Sequence, residues 1–291
     1  MDAVAEVVQT YRQDLEEVAE DLRRRGQEIG ETAPKMIEDT KNQIEPQTQE
    51  IINAIQDTSD VSPPEKPIIE VFAWSTVMVL FANIGIFFGV HLLGTFVSFV
   101  VGKFGAALVA FIGLPLYAHY KIKQKSGAKD AISEAVTGDK TIRMEMLSYA
   151  ILQGVLTGFV IDSIYLSYIP YAVVTPAIVA VSFAAVSKNA DGNRSVLLGG
   201  TIGTAVGVNF TMGLIMGSLS FTYILLTLTY AGIAYVIMQL CLKHVKRVDK
   251  GHLYQNALSC GYIVAKGMFF LTFGSYYPDD QQQQQQRNAD G

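Results

Sequence analysis

Residues 67–93 read PIIEVFAWSTVMVLFANIGIFFGVHLL, with one acid at Glu70, one histidine at His91 and neither lysine nor arginine. A run of about 18 or more apolar residues is long enough to cross a bilayer as a helix. A helix on the surface of a water-soluble core would carry a polar face at 3.6-residue period; this one is apolar all round. From Pro67 to Gly274 such runs follow one another, broken only by short polar loops. The sequence therefore predicts an all-α, polytopic membrane bundle, with the lipid bilayer as its first partner.

Seven membrane segments are predicted, at 69–92, 104–120, 146–166, 168–187, 195–216, 220–242 and 256–274. The last is more broken and is read as either spanning or re-entrant. Loop charge orients them. Lys121, Lys123, Lys125, Lys129, Lys140 and Arg143 lie between the second and third, Lys188 and Arg194 after the fourth, and Lys243, Lys246, Arg247 and Lys250 after the sixth. The turns after the third and fifth carry no lysine or arginine. Basic loops stay on the cytosolic side, which predicts an integral membrane protein with a cytosolic N-terminus. A seven-span receptor would need the opposite orientation.

The regions flanking the block differ from it. Residues 1–66 hold 16 acids and 7 bases, a net of −9. The remaining 225 residues hold 11 acids and 15 bases, a net of +4, and the two sum to the whole-chain −5. The start MDAVAEVV has no basic n-region and no cleavable apolar core, so the first span is expected to target the chain. Val4, Val8, Tyr11, Leu15, Val18 and Leu22 follow the alternating four-three spacing of a coiled-coil seam. Residues 1–56 are accordingly predicted to be a helical, coiled-coil-like cytosolic head that either binds a protein partner or a second copy of itself, or packs against its own chain. Residues 57–67 read as a proline-rich linker, 68–274 as the transmembrane domain and 275–291 as a disordered Gln-rich tail. Nothing points to nucleic acid.

Small residues mark predicted helix contacts. Gly199, Gly203 and Gly207 form a repeated G-x-x-x-G stripe in the fifth span, Gly154 and Gly158 another in the third, and Gly85 and Gly89 another in the first. Close backbone approach across such stripes supplies packing energy in lipid. Ionisable groups at membrane depth are expensive and face a cavity or a partner. Lys266 inside GYIVAKGMFF, Lys243 at a span edge and Asp162 near the end of the third span are the candidate cavity or gating residues. No metalloprotease, nucleophile-elbow or phosphate-loop motif occurs, and His91, His119, His244 and His252 form no ligand set. The chain is read as a non-enzyme with no metal and no cofactor; Cys241 and Cys260 suggest no disulfide framework.

LSYAILQGVLTGFVIDSIYLSYIPYAVVTPAIVAVSFAAVS at 147–187, followed by NRSVLLGGTIGTAVG at 193–207, resembles the Bax inhibitor family. Thr175-Pro176-Ala177, the Phe183-containing VSFAAVS and Leu198-Gly199-Gly200 carry the resemblance. EVFAWSTVMVLFANIGIFFGVHLL at 70–93 and Tyr230-Ala231-Gly232 extend it over roughly residues 68–272. The resemblance implies six helices around a last hydrophilic one, residence in the endoplasmic reticulum or another endomembrane, and a regulator of cell death and intracellular calcium. Where that family keeps the aspartates of its pH-sensitive leak, this chain has Lys243, Cys260 and Val264, with Lys266 nearby, so the aspartate-gated leak is expected to be missing. The alternative is a transporter or channel for an anion or small solute that uses the intramembrane lysines.

Overall fold

The computed structural model describes residues 45–46, 48–61, 65–100, 102–127, 135–166, 174–244 and 250–276. The predicted coiled-coil seam at 4–22 and residues 277–291 of the predicted Gln-rich tail lie outside these residues, whereas Ser275 and Tyr276, assigned to the disordered tail from sequence, form a short strand. The chain divides into two units, 1–53 and 54–291. Of the first unit only its last few residues are described, where Gln49 hydrogen-bonds Asn53. Residues 54–56, assigned to the head from sequence, belong to the second unit, in which Ala54 is fully buried.

Among its described residues the second unit consists of helices and their turns, with one two-residue antiparallel pairing. Its elements are α1 (Glu65–His91), α2 (Gly94–Val100), α3 (Gly102–Leu108), a π-helical turn (Val109–Gly113), α4 (Leu114–Gly127), α5 (Ala135–Ile161), β1 (Ile164–Tyr165), α6 (Thr175–Val186), α7 (Arg194–Ile215), α8 (Phe221–Lys243), α9 (Gly251–Phe273) and β2 (Ser275–Tyr276). Among the described residues six helical stretches are long and apolar enough to cross a membrane; α6 is a shorter apolar helix of 12 residues. Large apolar side chains on their outer faces are exposed, including Phe87, Leu116, Val181, Ile215 and Phe221. That surface suits hydrocarbon and would be penalised in water.

Local chemistry explains the element ends. Asn193 caps α7 by accepting from the Val196 N–H, and Ser220 caps α8 by accepting from the Tyr223 N–H, each satisfying a donor that the first helical turn leaves orphaned. Pro176 sits in the first turn of α6, where a missing N–H costs nothing. The π-helical turn has a sequence cause. Pro115 has no N–H to give the preceding turn, and the Ala110 carbonyl instead accepts from Gln153 Nε2 of α5 at 3.0 Å. The second predicted span is therefore one helical stretch interrupted by a π-helical turn.

Two boundaries differ from the sequence reading. The region 121–143, expected as a loop, is helical at both ends, because α4 runs to Gly127 and α5 starts at Ala135. The last segment is an unbroken 23-residue helix. Its end is fastened to the end of α5, with Ile164 opposite Tyr276 and Tyr165 opposite Ser275. α5 and α9 thus finish at the same end of the bundle, which is how a helix traversing its full length behaves and a re-entrant one does not.

α1 and α5 make the closest helix pair. A Cβ built on Gly154 would fall on the Ala82 carbonyl, and one on Gly158 would fall on the Ile86 carbonyl. Reciprocally, a Cβ on Gly85 would meet the Ile151 carbonyl and one on Gly89 the Val155 carbonyl. Only glycine lets the two backbones approach this far. The fifth-span stripe behaves otherwise: Cβ atoms at Gly199, Gly203 and Gly207 would meet nothing within 4 Å, so this stripe faces outward from the chain. α9 packs against α1, α4, α5 and α8, where Tyr262 stacks on Tyr230 with ring centroids 4.7 Å apart.

Candidate functional site

Among the described residues, a dense polar constellation lies at the end of the bundle against which residues 54–61 pack. Arg194, the first residue of α7, is 2% exposed. Its Nε donates to Gln239 Oε1 of α8 at 2.7 Å, its Nη1 to Asp57 Oδ2 at 2.6 Å, and its Nη2 to the Gln239 carbonyl at 3.3 Å. A guanidinium presents its donors in a fixed planar fork, and here the fork joins two helices to the incoming chain. A cation at a helix N-terminus opposes the macrodipole; the Asp57 carboxylate offsets that.

Asp57 is held from its other side as well. Its Oδ1 accepts from the Ser59 hydroxyl at 2.6 Å and the Ser59 N–H at 3.0 Å. These two bonds, with the Arg194 charge beside them, hold the carboxyl below the usual aspartate range. Gln239 Nε2 reaches the Ile55 and Asp57 carbonyls and the Tyr235 hydroxyl, and that hydroxyl donates to the Ile55 carbonyl. Val61 N–H donates to the Gly192 carbonyl at 2.8 Å, and Ser187 Oγ donates to Glu65 at 2.9 Å. The segment is thereby tied to the α6–α7 turn and to α8. Together these bonds position the incoming chain against the bundle.

Sequence reasoning counted Arg194 only as a loop charge. The available signal was Gln239, a lone amide inside VIMQLCL, since a buried amide needs partners.

The three candidate cavity or gating residues are not brought together. Asp162, just past the end of α5, pairs with Lys103 Nζ at 2.6 Å, and Lys103 also donates to Ser163 Oγ at 3.0 Å. Both belong to an open pocket of about 480 Å³ lined chiefly by Thr95, Ser98, Phe99, Lys103, Phe159 and Asp162. Lys243 is the exposed last residue of α8, where a cation suits the helix C-terminus. Lys266 lies inside α9 and donates to Asn83 Oδ1 of α1 at 2.5 Å, while the Asn83 amide donates to the Val79 carbonyl. It does not line the Asp162 pocket. A helix rise of about 1.5 Å per residue puts Lys266 roughly 22 Å along α9 from Gly251, far from the α8 end that carries Lys243.

The family model described as "Interactor of ZYG-11" matches residues 1–276. The chain belongs to the Interactor of ZYG-11 family. No curated protein and no solved structure matches it. Family membership overturns the resemblance to Bax inhibitor proteins, and with it the expected control of cell death and calcium and the alternative of solute transport. The resemblance rested on small and aromatic residues, which any tightly packed membrane bundle selects. The structure assigns them packing roles: a Cβ on Gly200 would press on Val186, Pro176 opens α6, and Tyr230 is fully buried.

Proposed function

We propose that this chain is a membrane-embedded binding protein, not an enzyme, whose N-terminal region engages a ZYG-11-type protein in the cytosol. The observation that carries this reading is the family match, which runs through both the N-terminal region and the helical bundle. The family's description supplies the class of partner. The Arg194–Gln239–Asp57 constellation supports the rest of the reading, because it fixes the chain to the bundle just after the boundary with residues 1–53.

The bundle crosses an endomembrane with α1, the α3–α4 segment and α5 through α9. The ends carrying Lys121, Arg143, Arg194 and Lys243 face the cytosol. Residues 54–61 are fastened to Arg194, so they share that face. Seven crossings then put the tail on the other side.

Co-precipitation of the full chain with ZYG-11 tests the partner. Deleting residues 1–53 is expected to abolish capture while the bundle still inserts. Equal capture by the deleted chain would remove the head from the reading. Resistance to alkaline carbonate extraction and cytosolic protease access to an N-terminal tag test the membrane placement independently.

A further inference from the structure

The pocket around Asp162 has the chemistry of a lipid-headgroup site. Its position gives the first reason. It lies at the bundle end opposite Arg194, between the short helices α2 and α3 and the end of α5. Around it Phe99 is 92% exposed, Phe104 79% and Phe96 69%. Three phenylalanines this bare on two short helices belong against acyl chains, and a pocket opening among them meets the layer where headgroups sit. This step rests on the membrane placement proposed above.

The polar lining gives the second reason. The carboxylate of Asp162 opposes the dipole of the helix it follows, and Lys103, itself half exposed, compensates it at 2.6 Å. Thr95 and Ser98, both exposed, add hydroxyls to the same wall. The pocket therefore offers an ammonium, two hydroxyls and a carboxylate, with no net charge.

We propose that this pocket binds the headgroup of a phosphoethanolamine lipid, with Lys103 and the hydroxyls on the phosphate and Asp162 on the ammonium. Phosphatidylserine carries the same ammonium, but its additional carboxylate would bring a like charge beside Asp162. A choline headgroup carries no N–H, so Asp162 would exchange a hydrogen bond for none. A primary ammonium has three donors and replaces the bond that Lys103 gives up to the phosphate. The exposed phenylalanines supply apolar surface for the chains.

The test uses the full chain reconstituted with equal amounts of phosphatidylethanolamine, phosphatidylcholine and phosphatidylserine, then extracted in mild detergent. Retained lipid is read by native mass spectrometry. One charge-assisted hydrogen bond predicts about tenfold enrichment of phosphatidylethanolamine over each competitor. Ser98→Leu fills the pocket from an exposed position and is expected to erase the enrichment without changing stability. Asp162→Asn is expected to shift retention toward phosphatidylserine. Soluble phosphoethanolamine should displace the lipid and inorganic phosphate should not. Equal retention of the ethanolamine and choline lipids, unchanged retention in Ser98→Leu, or displacement by inorganic phosphate alone would each overturn the proposal. Loss of the chain from carbonate-washed membranes would instead reject the membrane placement.

Discussion

Replacing Gly154 with alanine places a methyl group against the Ala82 carbonyl, with the Ala82 C and Cα atoms only 2.9 and 3.0 Å away. These are backbone atoms inside a helix, so no side chain can swing aside. α1 and α5 must separate by about 1 Å, and a gap of that size forfeits a quarter to a half of each contact's dispersion energy. In lipid such contacts are most of what holds two apolar helices together. Gly154→Ala is expected to cost about 2 kcal/mol, within the range for overpacking a tight interior. Gly158→Leu should cost more, because its methylenes meet the Ile86 backbone. The double variant should cost less than the sum, since separating the helices once relieves both clashes. Gly203→Ala is the control: nothing lies within 4 Å of its Cβ position, and alanine is the better helix former. Unfolding in mixed micelles, followed by the fluorescence of Trp74, reads all four variants; Trp74 is the single tryptophan and lies on α1 under the Arg143 guanidinium. Wild-type stability of Gly154→Ala, or an equal loss in Gly203→Ala, would refute the reasoning.

Three further outcomes follow from the polar contacts. Asp57→Asn leaves Arg194 buried without its carboxylate, at an expected cost of about 1–3 kcal/mol given that Asp57 itself is partly exposed; limited proteolysis across residues 54–61 should accelerate. The same attachment is pH-dependent: the Asp57 carboxyl is held below its ordinary value, so its contribution is complete at neutral pH and disappears as pH falls through the depressed folded value. Proteolysis of this segment should therefore rise only in acid, and Asp57→Asn should flatten that rise. In the bundle, Lys266→Met should be neutral or stabilising, while Asn83→Leu, which strips the ammonium of its acceptor, should cost about 2 kcal/mol. Adding Lys266→Met to Asn83→Leu should recover most of that loss in the same micelle assay.

Much of the bundle was legible because apolar length needs no partner to be recognised. The spans at 69–92, 195–216 and 220–242 lie close to α1, α7 and α8. The π-helical turn in the second span is prefigured by Pro115, but its accommodation depends on Gln153, 38 residues later and on another helix. The glycine stripes were visible and their uses were not. Gly154 and Gly158 meet α1, while Gly199, Gly203 and Gly207 face outward, although the two patterns read alike in one dimension. The family resemblance failed for the same reason, since spacing of small residues records tight packing without recording the partner.

The candidate sites show the division most clearly. Sequence by itself determined that the chain carries a long apolar block with alternating basic loops and an acidic N-terminal region, because hydropathy and charge are summed along the chain. It also flagged Lys266, Lys243 and Asp162 as costly at membrane depth. Only the tertiary structure decided that Asp162 is paired with Lys103, that Lys266 leans on Asn83, and that Arg194 is a buried anchor and not a loop charge. A charge is expensive or harmless according to what lies within about 4 Å of it, and for Arg194 and Asp57 that neighbour is 137 residues away in the chain.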